Sequence, residues 1–172
     1  MSLTMTMAEL YDQYYSVYPD KAKLYRGDTA MPNHCHNTVT VYSANTDDVA
    51  KIKQMFEDEH CFGQIIPEPA WPNTPNKDGE LPVKHEDPWL TYRWSNDRQD
   101  DRWDNWRVQN WDTKWDAYDV VVTDDDPECT EIHFNTAWSP PEAICSALRE
   151  QYPDVSISWF FDEPGCEIAG YL

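Results

Sequence analysis

Glycine is scarce in this chain of 172 residues, which contains only five glycines against thirteen prolines. Loops that cradle nucleotide phosphates need closely spaced glycines, so no nucleotide-binding loop is expected. The sequence also lacks an apolar run of about 18 residues, and no membrane-spanning helix is predicted. Its first residues, MSLTMTMAEL, combine neither a basic nor an apolar stretch, and no secretory signal is predicted.

Basic residues are the second shortage. Lys and Arg number 13 against 32 Asp and Glu, for a net charge of −19. A field of this sign repels phosphates, so direct contact with nucleic acid is not expected, and no membrane contact is predicted. The acidity either keeps the protein soluble or attracts a basic, for example DNA-binding, partner protein. In its sharpest form, the second interpretation is a mimic of DNA.

The cysteines show no recognisable disulfide or metal-binding pattern. Their number is odd, five in all, and no CxxC pair occurs. This usage predicts reduced thiols and a cytoplasmic location. The motifs GxSxG and HExxH are absent as well, so no catalytic residue and no cofactor are predicted, and enzymatic activity is left open.

Hydrophobic periodicity marks the elements of the first part. Met7, Leu10 and Tyr14 predict a helix over Met5–Tyr18, within an N-terminal helical extension of residues 1–30. Alternation predicts a strand over Asn37–Ser43. The spacing of Val49, Ile52 and Phe56 predicts a helix over Asp47–Glu59, which follows capping residues at positions 45 and 46.

A long connection follows at residues 61–109, where five prolines fall between Pro67 and Pro82. Proline is excluded from helix interiors and central strands, so little regular structure is expected. A short strand over Leu90–Trp94 and a helical turn over Asp100–Trp106 are predicted. We expect this tryptophan-rich, acidic insertion to fold over an otherwise open sheet face.

Regular patterns return at Ala117. Alternating residues predict a hairpin, with Tyr118–Thr123 and Glu131–Trp138 as its strands. The segment SPPE then predicts a helix start with Ser139 as N-cap and Glu142 as its capping-box partner. The helix ends at Pro153, and a final strand begins at Val155.

The predicted order is β-α-insertion-β-β-α-β. This is a ferredoxin-like α+β fold, with a four-stranded antiparallel sheet and two helices on one face. We expect it to occupy residues 31–172, with the long insertion between the first helix and the second strand.

Five stretches occur in the order typical of one family: MPNHCHN, IIPEP, NWDTKWDAYDV, FNTAWSPP and FDEPGCEIAG. On these, residues 31–170 resemble the YubB-like group of plasmid- and phage-borne proteins with a ferredoxin-like domain. The resemblance implies that fold and carriage on a mobile element, and it implies no established activity. The chain departs from the group at Asp112, where glycine is usual, and at His34, where tryptophan is frequent. A glycine there indicates positive φ, which aspartate tolerates.

The aromatic turn of NWDTKW and the segment AWSPP are the candidate interaction surface. Two interpretations remain open: a recognition surface with aromatic anchors around a lysine, or a packed turn that closes one end of the sheet. The residues concerned are Asn110, Trp111, Thr113, Lys114, Trp115, Trp138 and Ser139.

A metal site is not predicted. His34, His36, His60 and Cys61 are the weak candidates, because they flank the first strand and helix. Zinc sites pair their ligands two to four residues apart, and alternate residues of a strand point to opposite faces. The run Asp124–Asp126 lacks the spacing of a calcium loop and indicates a polar hairpin turn.

The sequence therefore favours a non-enzymatic interaction protein of a mobile element, most simply a phage. The alternative is an enzyme or small-ligand binder with a cleft between the sheet and the 61–109 insertion.

Overall fold

The computed structural model describes residues 33–84, 92–96 and 98–172. The predicted N-terminal helix lies outside the described residues, as do residues 90 and 91 of the predicted short strand. Among the described helices, none is long and apolar enough to cross a membrane.

One antiparallel sheet of five strands organises the described chain, in the order β4-β5-β1-β6-β7. Its strands are β1 (His34–Tyr42), β4 (Tyr118–Asp126), β5 (Cys129–Ala137), β6 (Ser156–Glu163) and β7 (Ile168–Tyr171). The first four follow the ferredoxin-like order, which confirms the predicted connectivity. The prediction of four strands is wrong, because the chain turns after β6 and adds β7 along its edge. There Phe160 and Tyr171 stack with ring centroids 5.2 Å apart.

Within the described residues, four helices lie on one side of this sheet, two more than predicted for that face. They are α1 (Thr46–Glu57), α2 (Cys61–Ile65), α3 (Arg102–Trp111) and α4 (Glu142–Gln151). The predicted cap of α1 is present, since the Asn45 side chain accepts a hydrogen bond from the Asp47 amide at 3.2 Å. Val49, Ile52 and Phe56 are buried, as their spacing predicted. The helical turn predicted over Asp100–Trp106 is the start of the longer α3.

The core lies between these helices and the inner face of the sheet. Phe134 on β5 is its centre, with ring centroids 5.2 Å from Phe56 and 5.5 Å from Trp159. Apolar side chains of β1, β5 and β6 alternate into this layer.

A polar side chain lies in the middle of this core. Asn37 on β1 is 1% exposed. Its Nδ2 donates to the Cys35 carbonyl and to Thr136 Oγ1, both at 3.0 Å, and its Oδ1 accepts from the Trp159 indole at 3.0 Å. All polar atoms of this buried side chain are therefore used, which is what burial requires.

The described parts of the insertion lie on the helix side, so the expectation that they cover the open sheet face is wrong. Phe62 of α2 packs on Phe134 at 6.0 Å, and Trp111 of α3 packs on Phe62 at 5.7 Å. The physical reason is burial: these aromatic rings enlarge the existing core instead of building a second one.

The remaining elements of the insertion are short. A 3-10 turn spans Trp71–Asn73, and β2 (Val83–Lys84) pairs with β3 (Tyr92–Arg93) in a separate two-stranded ribbon. Of the predicted strand Leu90–Trp94, residues 92 and 93 are in β3.

Candidate functional site

The predicted aromatic turn begins inside α3 and is largely buried. Asn110 Nδ2 donates to the Trp106 carbonyl at 2.8 Å. Trp111 is 1% exposed, and its indole N–H donates to the Ile66 carbonyl at 3.0 Å. Thr113 is buried, and its hydroxyl donates to the Ala137 carbonyl at 2.8 Å. These three side chains serve packing and hydrogen bonding in the structure.

Lys114 and Trp115 are the more accessible residues of the turn. The Lys114 ammonium lies 2.9 Å from Asp104 Oδ2 and over the Trp103 ring at 5.9 Å. Trp115 is 37% exposed and packs edge-on against Tyr118. The carboxylate of Asp104 partly offsets the charge of Lys114, although an ion pair this exposed is weak and can be exchanged for a partner's carboxylate.

The second motif meets the first through backbone contacts. Trp138 has a left-handed φ of 77°, and its amide donates to the Asn33 carbonyl at 2.9 Å. The Ser139 hydroxyl donates to the Asp112 carbonyl. The structure thus places the two motifs together at one end of the sheet.

Asp112 joins α3 to α4, and it replaces the cap predicted for α4. Its φ of 62° is left-handed, as the comparison with glycine indicated. Its Oδ2 accepts from the Ala143 amide at 2.8 Å, in the first turn of α4. The N-cap position of α4 is Pro141, and neither Ser139 nor Glu142 forms the predicted capping box. A carboxylate 31 residues away satisfies the helix end instead.

Three carboxyl groups in this region have raised pKa values, and burial is the main cause for each. For Asp112, the Ala143 hydrogen bond opposes the increase in pKa, and for Glu142 the nearby Asp112 charge adds to it. Burial also raises the pKa of Asp116, although its Oδ1 accepts from the Phe62 and Ala117 amides. Asp116 thereby satisfies the N-terminus of α2, a role that the sequence did not suggest.

These shifts predict that stability increases as the pH falls from 7 through the folded pKa values towards the unfolded values of about 4. Each carboxyl binds its proton more tightly when folded, so the cost of burying its charge is present above the folded pKa. That cost disappears as the pH falls through the folded pKa towards the unfolded value. Thermal unfolding should therefore give a higher Tm near pH 4, close to the unfolded pKa values, than at pH 7.

The double variant D112N/E142Q should reduce this dependence of Tm on pH, because two of the titrating groups are gone. The E59Q variant, at an exposed position, is the matched control and should retain it. A Tm of the native protein that is lower near pH 4 than at pH 7 would contradict the prediction.

The weak metal candidates do not meet. His34 and His36 are exposed on the open side of the sheet, where their Nδ1 atoms lie 2.6 Å from Tyr118 Oη and Asn135 Oδ1. Cys61 is buried on the helix side, where burial raises the pKa of its thiol. His60 is exposed beside it. Within the three described ranges, no group of three or more His, Cys, Asp or Glu could hold a metal ion.

The side of the sheet opposite the helices is a candidate surface, here called the open face. Among the described residues, no helix covers it, and Tyr42, Val121 and Tyr171 are 51%, 56% and 73% exposed there. The sequence did not indicate this face as a candidate surface, because the insertion was expected to cover it. The five strands contain no Lys or Arg. Glu131 and Asp162 stand on this face, in register with Thr40 and His36 of β1.

A second candidate surface is a cavity of about 310 Å³, here called the tryptophan groove. Every described residue that lines it belongs to the insertion, so this cavity differs from the predicted cleft between sheet and insertion. It is lined by Glu68, Trp71, Pro72, Tyr92, Asp100, Trp103 and Arg107.

Two arginines stacked between tryptophans hold the groove together. The Arg102 guanidinium lies over the rings of Trp71 and Trp94, at 5.2 and 4.6 Å, and binds both oxygens of Asp100, at 2.8 and 2.9 Å. Arg107 lies over Trp103 and Trp111 at 5.0 and 4.8 Å. Cation–π stacking and bidentate pairing explain why so many tryptophans occur here.

Glu68 is the carboxylate partner of Arg107, as Asp100 is of Arg102. Its Oε1 accepts from Arg107 Nε, and its Oε2 accepts from the Trp71 indole at 2.9 Å. Each oxygen of Glu68 and of Asp100 thus accepts a hydrogen bond from within the protein.

The chain was compared with known proteins by sequence and by structure. No curated protein matches the chain. One similar solved structure is the crystal structure of a protein api92 from Yersinia pseudotuberculosis. It is 10% identical, with a TM-score of 0.48, over 82% of this chain and 93% of that one. Residues 110–172, from the end of α3 through β7, match the model of the ferredoxin-like domain in Api92-like protein.

Proposed function

We propose that this protein is an interaction module, rather than an enzyme, and that its open face binds a basic partner protein. The observation that carries the proposal is the absence of Lys and Arg from all five strands of the sheet. Charge of one sign across a broad face steers an oppositely charged partner and repels nucleic acid.

Exposed aromatic rings on the same face support this proposal. Tyr42 and Tyr171 are more than half exposed there, although each offers a large apolar surface. Tyrosine is enriched in protein interfaces because its ring buries area while its hydroxyl stays hydrated. A partner with Lys or Arg around an apolar centre complements such a surface.

Charge reversal on the open face tests this proposal. The probe is a fluorescein-labelled, arginine-rich peptide of about a dozen residues, because charge complementarity is the property under test. The E131K/D162K variant should weaken its binding at low salt by about 10-fold or more. The matched control E57K/E59K has the same net charge but changes exposed residues at the end of α1.

Equal weakening in the two double variants would contradict the proposal, since a uniform field would then explain the binding. A strong dependence on salt is expected for the native protein, because exposed charges are screened within about 8 Å at physiological ionic strength.

In its sharpest form, the proposal is a mimic of DNA. The net charge of −19 supports it, since a DNA-binding groove presents a complementary basic surface. Competition tests it: the protein should displace duplex DNA from core histones, and E131K/D162K should do so less well. No displacement at low salt would reject mimicry and leave the open-face proposal standing.

Carriage on a mobile element, as the resemblance implies, is also part of the proposal. The genes beside this one provide the test, because genes of mobile elements cluster by task. Neighbours restricted to housekeeping genes would contradict it.

A further inference from the structure

We propose that the tryptophan groove binds a proline-rich peptide of another protein in the polyproline II conformation. This second site lies apart from the open face and does not depend on the function proposed above. Its walls are the rings of Trp71, Tyr92 and Trp103, with Pro72 beside them. All four are partly exposed. Flat aromatic walls fit pyrrolidine rings, and aromatic-lined grooves are a general means of recognising such peptides.

Two polar groups of the residues that line the groove have no hydrogen bond to a described residue: the Trp103 indole N–H, which is a donor, and the Tyr92 hydroxyl, which is a donor and an acceptor. Each oxygen of Glu68 and of Asp100, by contrast, already accepts a hydrogen bond from the protein. Arg107 donates to Glu68 through Nε, and its terminal N–H groups have no hydrogen bond to a described residue. A ligand that supplies acceptors therefore matches these donors.

A polyproline II segment supplies acceptors only. Proline has no backbone N–H, and the carbonyl groups of this helix have no internal partners. The proline segment itself therefore has no N–H group that needs an acceptor in the groove, and its carbonyl groups can accept from the Trp103 and Tyr92 donors. Little conformational entropy is lost on binding, because the peptide is already extended.

The charge of the protein selects among proline-rich peptides. At a net charge of −19, a peptide flanked by arginine approaches faster and binds more tightly than one flanked by glutamate. The inferred ligand is therefore a proline-rich segment with a basic flank.

Isothermal titration calorimetry tests the site with a capped peptide of one arginine followed by six prolines. Binding of one peptide per protein is expected, and the same peptide with serine in place of proline should not bind. W103F keeps an aromatic ring, although a smaller one, and removes the N–H donor, while Y92F removes only the hydroxyl. Each should weaken binding by about 5- to 10-fold. The control W115F changes a partly exposed tryptophan outside the groove and should bind normally.

A second measurement uses the native protein and avoids any effect of substitution on folding. The ¹H–¹⁵N resonance of the Trp103 indole should shift on addition of the proline peptide, while that of Trp115 should not. Equal binding of the serine peptide, a Kd weaker than about 1 mM, or an unmoved Trp103 resonance would each overturn the inference.

Discussion

Replacing Trp111 by alanine is expected to lower the free energy of unfolding by about 3–5 kcal/mol. The side chain is 1% exposed and lies within 6 Å, between ring centroids, of Phe62 and Trp106. Its removal leaves a large cavity, frees the Ile66 carbonyl of its partner and takes away one ring beneath Arg107. Urea unfolding, followed by circular dichroism, measures the loss.

The matched control is W115A, four residues further along and 37% exposed. It should cost about 1 kcal/mol or less, because little area is removed from the interior. Comparable losses in the two variants would show that Trp111 does not anchor the insertion on the core.

This comparison also separates the two interpretations of the aromatic turn. A recognition role requires that Trp111 can reach a partner, and in the structure its ring is covered. Lys114 and Trp115 are the members of the turn that a partner could contact. A role for them in recognition stays a prediction. It would be tested by comparing the binding of the arginine-rich peptide to W115A and to the native protein.

The second large effect is expected at Asn37, where alanine should cost about 2–4 kcal/mol. The substitution removes three hydrogen bonds at the centre of the core. It leaves the indole N–H of Trp159, a fully buried residue, without its acceptor. An unpaired donor in this environment bears the full penalty of its lost hydration.

Thr40 on the same strand provides the control, because it lies on the open face and is partly exposed. T40A should change the free energy of unfolding by about 1 kcal/mol or less, since it removes only strand propensity and an accessible side chain. A loss at N37A below about 1 kcal/mol would mean that water replaces the lost partners, and the core would then be less dry than the packing indicates.

Much of the fold could be predicted from the sequence because its elements have simple periodicities. Strands β1, β5 and β6 alternate between a buried and an accessible face, and α1 and α4 each bury one stripe. In these elements the periodicity of the hydrophobic residues in the sequence matches the residues that are buried in the structure.

Helix α3 was predicted too short for a physical reason. Its tryptophans and arginines stack in alternating layers, so polar and apolar groups share the same side. A periodicity of hydrophobic residues is weak in such a segment, although the packing is extensive. The cap of α4 could not be predicted either, because Asp112 is remote in sequence from the amide that it binds.

The candidate surfaces were the least predictable features. The sequence shows an excess of tryptophan, but the choice between the two sides of the sheet depends on tertiary packing. The charge of the open face follows from a register that aligns strands distant in sequence, so composition alone could not locate it.

The irregular pairing of β4 has a consequence for how copies of this protein meet. This outer strand changes register on both sides of its central segment, and it carries Asp119 with a left-handed φ of 53°. A neighbouring molecule would need a straight, evenly spaced row of amide and carbonyl groups to continue the ladder. The irregular edge strand β4 does not offer such a row. Edge-to-edge assembly into fibres along β4 is therefore disfavoured, even at salt concentrations that screen the repulsion between the acidic molecules.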